Sequence, residues 1–464
     1  MSFKAGPFHA DTCKSMKRKR VALLMPFFLF LSGSGAFSQV TLMDVPKVPS
    51  DDFSESAEVR VQIAEAWLEK EIDAVLLSHP GEYRNRAGQT FVVSAQREAD
   101  TGFAAISVVP VEKKGVQGTW TLYRRLSDGM PDHIRIYPLP DPSIFINIRP
   151  NGDKPEKGKT LLELNIYGAW ACRDIPLGVP FIRMYTNTFE SIVALTPRLV
   201  PWYLLSPDSL RYAEVESAVA VIRDQLSTLV FLDDGAFNEK GVPVHIKDGS
   251  PQTRDEIFKA LAQGQNSGNI VGGVNCSGFA KWIVDGIIRP VAGSRMKIDP
   301  LKTQTASPEN HFTDPFRENN DLFFALDWTR NLAAAVVSLT EKQTVLSDAA
   351  GINITSLPFT GIDRYEMNVG YRTESILPLL YYLSVNETGH FYLGAVSDVS
   401  GELFLRAYHH VVAFFPYFDQ NGQFQVVVFE SAVETPVWDF INANRGSYIN
   451  LVRLRLPEAG HFKP

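Results

Sequence analysis

Residues 272–282, GGVNCSGFAKW, join a glycine-rich loop to the start of a helix with one apolar face. Phe279, Trp282 and Ile283 recur at the spacing that puts side chains on one side of a helix. Cys276 is therefore predicted at the helix N-terminus, where unpaired N–H groups and the macrodipole favour an anion. A thiol in that position ionises readily, and the thiolate is its reactive form. The glycines at 272, 273 and 278 are expected to leave the backbone open to a substrate.

A second informative stretch, residues 408–431, predicts a β-hairpin. YHHVVAFF (408–415) is rich in β-branched and aromatic residues, DQNG (419–422) is typical of a turn, and QFQVVVFES (423–431) is the return strand. Glu430 follows an almost wholly apolar run as a lone carboxylate. It is therefore a candidate partner for one of the two adjacent histidines, His409 and His410.

The length of the turn determines which histidine Glu430 reaches. A three-residue loop (420–422) places Glu430 opposite Val412, diagonal to His410. A two-residue loop (421–422) places it opposite Ala413, on the face of His409. Diagonal neighbours on one face lie about 7–8 Å apart at the backbone, within reach of both side chains. Both registers predict a His–Glu pair, and the choice between His409 and His410 stays open from the sequence.

The two stretches together resemble the NlpC/P60 family of papain-like cysteine peptidases. Residues 275–279, NCSGF, match its nucleophile motif, and residues 410–414, HVVAF, match its histidine strand. The resemblance implies that Cys276 is the nucleophile, that His410 is base and acid, and that Glu430 orients the imidazole. A thiol, its base and a group that holds the base form an activated nucleophile.

The chain departs from that family in three places. Asn275 stands where the family usually has Asp, no tyrosine precedes the cysteine between residues 263 and 274, and the interval from Cys276 to His410 is unusually long. We therefore expect residues 208–464 to form an α+β, papain-like NlpC/P60 domain. The long interval between Cys276 and His410 predicts a large insertion within it. The resemblance implies hydrolysis of amide bonds in peptidoglycan stem peptides or related small peptides, through a thioester acyl-enzyme, without a cofactor.

The N-terminus has the three-part layout of a secretory signal peptide over residues 1–38. KRKR (17–20) precedes an apolar run (21–31) that is too short to span a bilayer comfortably, and small residues follow. Residues 1–15 are interpreted as an upstream start in front of Met16. We expect an exported protein, periplasmic or secreted, that has no stable membrane span after signal cleavage.

Residues 45–207 are predicted to form a mostly β domain whose role the sequence leaves open. A helix over 51–77 precedes strands predicted around 91–93, 119–123, 133–137, 144–148 and 161–167, and 197–207 is interpreted as the connection to the second domain. Helices are predicted over 209–232, 253–263, 327–339 and 371–383.

Charge and cysteine content limit the function classes. The formal net charge is −7 and basic residues do not interleave with aromatic ones in a stripe, so nucleic acid is not expected as a partner. Scattered histidines and the lack of a Cys-x-x-Cys pair predict no metal site. After signal cleavage Cys172 and Cys276 remain, and a disulfide between them would make a catalytically silent binding or structural protein. The other alternative is an amidase, esterase or acyltransferase with the same triad.

Overall fold

The computed structural model describes residues 53–152, 159–263, 270–306, 321–355, 357–400 and 405–464. All of them belong to one compact unit. The predicted signal peptide, residues 1–38, lies outside the described residues. Within the described ranges helices are mixed with two large antiparallel sheets, whereas the papain-like part of the fold class stays a prediction.

The first segment is helical, as predicted, but in three pieces. Helix α1 (Ala57–Ile63) continues into a π-helical segment (Ala64–Leu68), and α2 (Ile72–Leu76) follows. Val59, Ile63 and Trp67 are buried, whereas Ala66 is exposed. A π turn takes more residues than an α turn, so it shifts the phase of the apolar face.

Eight antiparallel strands in sequence order follow as a meander. They are β1 (Gly81–Arg84), β2 (Thr90–Arg97), β3 (Phe103–Pro110), β4 (Trp120–Arg125), β5 (Pro131–Ile136), β6 (Ile144–Asn151), β7 (Lys159–Ile166) and β8 (Ala169–Pro176). The five predicted strands are confirmed, and β1, β3 and β8 are additional. Successive side chains of a strand point to opposite faces of the sheet, and those on the inward face are apolar. Ile134, Ile146 and Leu164 on this face are fully buried.

The predicted connection, residues 197–207, packs as part of the core. Helix α3 (Phe189–Leu195) precedes it, and short 3₁₀ segments cover Phe181–Tyr185, Trp202–Leu205 and Ser209–Tyr212. Trp202 is buried and donates to the Thr196 carbonyl, and Tyr381 donates to the Leu204 carbonyl at 2.6 Å. The segment is thereby tied to a residue far along the chain, and the boundary at 207 stays a prediction.

The second half alternates helices and strands. It contains α4 (Ala213–Leu226), β9 (Leu229–Phe231), β10 (Gly235–Phe237), β11 (Pro243–His245), α5 (Arg254–Gln263), β12 (Gly272–Val274), α6 (Cys276–Ala292), α7 (Phe324–Glu341), β13 (Tyr371–Arg372), α8 (Ile376–Asn386), β14 (His390–Ser400), β15 (Leu405–Phe418), β16 (Phe424–Glu430), β17 (Val433–Thr435), α9 (Val437–Ala443) and β18 (Tyr448–Arg455). The four predicted helices are confirmed, with ends shifted by up to six residues at α4 and five at α8.

A six-stranded antiparallel sheet, ordered β13-β18-β14-β15-β16-β17, lies between two apolar cores. Val412 and Phe414 pack into the core that also contains the inner face of the β1–β8 sheet and α8. Val411, Ala413 and Phe415 pack into a second core with α4, α6 and α7. Burial on both faces explains why residues 411–415 of β15 and 426–429 of β16 are continuous apolar runs with no polar alternation.

Candidate active site

Close backbone packing positions the N-terminus of α6. A Cβ on Gly278 would lie 1.9 Å from the Gly235 carbonyl oxygen, which also accepts from the Asn275 amide at 3.0 Å. A Cβ on Gly272 would meet the Phe237 ring at 2.7 Å, and one on Gly273 would meet Leu232 at 2.4 Å. The expectation that these three glycines open the backbone to a substrate is therefore wrong: they allow neighbouring protein atoms to approach.

Asn275 caps the helix that carries the cysteine. Its side-chain oxygen accepts from the Gly278 amide at 2.8 Å, and its backbone is extended. Asn and Asp are equally good at this position because either oxygen satisfies an unpaired N–H group, so the departure from Asp leaves the helix start intact. Among the described residues, the amides of Cys276 and Ser277 have no hydrogen-bond partner. They are free to bind an anion at the cysteine.

Residues His410 and Glu430 meet across the β15–β16 hairpin. The ladder pairs Ala413 with Phe429 and Phe418 with Phe424, which is the register of the three-residue loop. His410 Nε2 lies 2.6 Å from Glu430 Oε2, and both side chains are about four-fifths buried. The carboxylate therefore holds Nε2, and Nδ1 is the ring nitrogen that remains for Cys276.

The neighbouring histidine, His409, does not share this site. The pairing of β14 with β15 moves from Val396–His410 to Ser397–Tyr408, so His409 is the extra residue of a β-bulge. Its side chain is 47% exposed and its nearest acidic group, Asp398, is 3.9 Å away. The bulge thus leaves His409 in solvent and resolves the open choice between the two histidines geometrically in favour of His410.

The electrostatics couple Cys276 to His410. Burial by itself opposes the thiolate, but the positive charge of the nearby His410, with the Val411 amide, lowers the pKa of Cys276 below its usual range. Burial likewise opposes the imidazolium, but Cys276 and Glu430 together raise the pKa of His410 to about 9. Both shifts favour the thiolate–imidazolium pair over the two neutral groups.

Thr435 supports the carboxylate and was not identified from the sequence. It donates to Glu430 Oε1 at 2.7 Å from β17. The two strands are joined by Ser431 and Ala432 at φ of 50° and 65°. Such a turn normally carries Asn or Gly, so its sequence held no signal for the hairpin. Burial opposes ionisation of Glu430, but hydrogen bonds from His410 and Thr435 keep its pKa below the usual value.

The long segment between Cys276 and His410 also contacts the residues around the candidate active site. Its helix α7 packs beside α6, and buried Trp328 donates to the Ser277 carbonyl at 2.8 Å. The insertion therefore braces the first turn of the helix that presents the cysteine.

Cys172 lies on β8, and both it and Cys276 are free thiols. The disulfide that the silent alternative required is thus not formed. Burial raises the pKa of Cys172 to about 11, which makes it a poor nucleophile. Only Cys276 of this pair has the surroundings of a reactive cysteine.

Within the described ranges, no cluster of three potential ligand side chains has the arrangement of a metal site. The same ranges contain no helix of the length and apolarity needed to cross a bilayer.

A family model described as "Domain of unknown function (DUF8515)" matches residues 49–204, which include the β1–β8 sheet. Neither the curated proteins nor the solved structures contain a match to the chain. The matched segment excludes Cys276, His410 and Glu430, so their catalytic roles stay predictions.

Proposed function

We propose that this chain is an exported cysteine peptidase that hydrolyses amide bonds of bacterial cell-wall peptides through Cys276, His410 and Glu430. The observation that carries the proposal is the 2.6 Å contact between His410 and Glu430, combined with the opposite pKa shifts of Cys276 and His410. A base held by a carboxylate and coupled to a thiol at a helix N-terminus is the arrangement that nucleophilic catalysis needs. The cell-wall substrate and the export follow from the family resemblance and the N-terminal pattern.

In the proposed mechanism the Cys276 thiolate attacks the amide carbonyl carbon. A C–S bond forms and the carbonyl electrons move to oxygen, which accepts from the free Cys276 amide at the N-terminus of α6. The C–N bond then breaks while His410 Nδ1 gives its proton to the leaving amine. His410 next takes a proton from water, which attacks the thioester and releases the carboxylic acid and the thiolate. Glu430 stabilises the imidazolium whenever His410 carries the extra proton, and it orients the neutral ring in the acyl-enzyme.

Mass spectrometry of peptidoglycan fragments incubated with residues 39–464 tests this function. New peptide termini are expected with the wild type, none with Cys276→Ala, and an unchanged yield with Cys172→Ala, the control for the second thiol. Cleavage that persists in Cys276→Ala would refute the nucleophile. If no fragment is cleaved but an ester or simple amide is hydrolysed in a Cys276-dependent way, the result supports the proposed triad and refutes the proposed cell-wall substrate.

A further inference from the structure

A row of polar side chains crosses the outer face of the β1–β8 sheet. The ladder places Ser107, Thr121, Arg135, Asn147 and Glu163 opposite one another on five consecutive strands. The Ser107 and Thr121 hydroxyls are 3.0 Å apart, and Asn147 Nδ2 donates to Glu163 Oε2 at 2.9 Å. Both ends of the row are satisfied internally. Its centre, between Arg135 and Asn147, is not.

Three buried polar atoms at this centre lack a hydrogen-bond partner: Arg135 Nε, Asn147 Oδ1 and His133 Nε2. The amide of Asn147 is oriented by the Glu163 carboxylate, which accepts only, so its Oδ1 faces away from Glu163. His133 Nδ1 is likewise committed to Asp132 at 2.8 Å. A buried polar group without a partner is destabilising and uncommon, so three on one cavity indicate a missing partner.

Arg135 is the uncompensated charge of this cavity. Its guanidinium lies over the rings of Tyr123 and Phe145, at 5.1 and 4.6 Å from their centroids, and it has no ion pair or hydrogen bond among the described residues. Its neighbour Arg149, by contrast, is bound by Glu163 and Asp174. These ring contacts attract the guanidinium but satisfy none of its N–H groups, which leaves them available to an anion.

The cavity has a volume of about 490 Å³ and is also lined by Asn165 and Trp170. That size suits a small organic ligand. A planar carboxylate matches the guanidinium fork, but it has no proton to give to Asn147 Oδ1, so the ligand also needs a donor such as a hydroxyl. The Phe145 and Trp170 rings add walls against which the C–H face of a sugar can pack.

We propose that this cavity binds an acidic saccharide, with its carboxylate on Arg135, a hydroxyl on Asn147 and its ring beside Trp170. His133 Nε2 accepts a second hydroxyl. Side-chain rotation at the floor of the cavity brings the buried atoms into contact with the ligand. The site lies in the segment that matches a domain of unknown function, and the argument for it does not depend on the proposed peptidase.

Isothermal titration of the purified protein with three probes tests the site. D-glucuronate carries the carboxylate and the hydroxyls, D-glucose carries hydroxyls without the carboxylate, and acetate carries the carboxylate alone. We expect glucuronate to bind at least about tenfold more tightly than either, with a Kd below about 1 mM. Binding is expected to weaken as salt is raised, because the pairing with Arg135 is electrostatic.

Arg135→Gln is expected to weaken glucuronate binding at least tenfold. Arg97→Gln, the same change on exposed Arg97 of β2, is the matched control and should leave binding unchanged. Should Arg135→Gln fail to fold, Arg135→Lys keeps the charge but loses the planar fork, and it must still weaken glucuronate and not glucose. The proposal is overturned if glucuronate does not bind, if glucose or acetate binds equally well, or if neither Arg135 variant reduces the affinity.

Discussion

Replacing Glu430 with Gln isolates the charge of the third catalytic residue. The amide oxygen of Gln still accepts from His410 Nε2, and its NH₂ group still meets the Thr435 hydroxyl, which then accepts. The shape and the hydrogen bonds at 2.6 and 2.7 Å are therefore kept, and the negative charge is lost. We expect the pKa of His410 to fall from about 9 towards its ordinary value.

The size of this fall follows from the geometry. Two unit charges whose centres are about 4 Å apart interact by about 4 kcal/mol at an effective dielectric constant of ~20. Solvent still reaches the pair, because His410 and Glu430 are 21% and 19% exposed, and burial partly offsets the attraction. A decrease of about 1–2 pH units is therefore expected, within the usual effect of a nearby opposite charge and equivalent to about 1.4–2.7 kcal/mol.

Histidine-labelled NMR titration measures the change directly and needs no substrate. The His410 resonance is assigned by its loss in His410→Asn, and its midpoint is compared between the wild type and Glu430→Gln. Glu434→Gln is the matched control, because Glu434 is already bound by Arg223 at 2.6–2.7 Å and should change the midpoint by less than about 0.3 units. An unchanged midpoint in Glu430→Gln, or an equal shift in the control, would refute the proposed pairing.

Three further changes test the support of the site. Lys281→Met removes one partner of a fully buried pair, in which Lys281 Nζ lies 2.7 Å from Asp285. Urea denaturation should show that the free energy of unfolding falls by about 3–5 kcal/mol, and a loss below about 1 kcal/mol would contradict the pairing. Gly278→Ala should prevent folding or strongly lower the Tm, since its methyl group would overlap the Gly235 carbonyl; a native-like melt would refute that packing. Thr435→Val should cost only about 1 kcal/mol of stability but slow turnover several-fold and shift its pH profile, whereas wild-type kinetics would make Thr435 merely structural.

Local sequence patterns predicted most of the secondary structure. The helix at Cys276 follows from its apolar period and from Asn275 as N-cap, and the β15–β16 hairpin follows from two apolar runs around a turn signal. These signals are local, because each depends on residues within a few positions of one another. The hairpin around Ser431 and Ala432 carries no such signal, so β17 and Thr435 were not predicted.

The roles of the three glycines beside Cys276 could not be predicted from the sequence. The sequence shows that residues 272, 273 and 278 lack side chains but not which atoms use the space. Packing against Gly235, Leu232 and Phe237 comes from segments about 35–43 residues away along the chain, so the pattern at the cysteine was interpreted as an open loop. A close backbone contact is a tertiary property and leaves no periodic trace.

The sequence alone identified Cys276 at a helix N-terminus and a His–Glu pair on one hairpin, because both follow from short-range geometry. The tertiary structure selected His410 over His409 through a bulge against β14, and it coupled that histidine to a cysteine on a helix from a distant part of the chain. It also left Arg135 and Asn147 unsatisfied beside one another on neighbouring strands. Register and long-range packing depend on how strands and helices meet, which no short stretch of residues encodes.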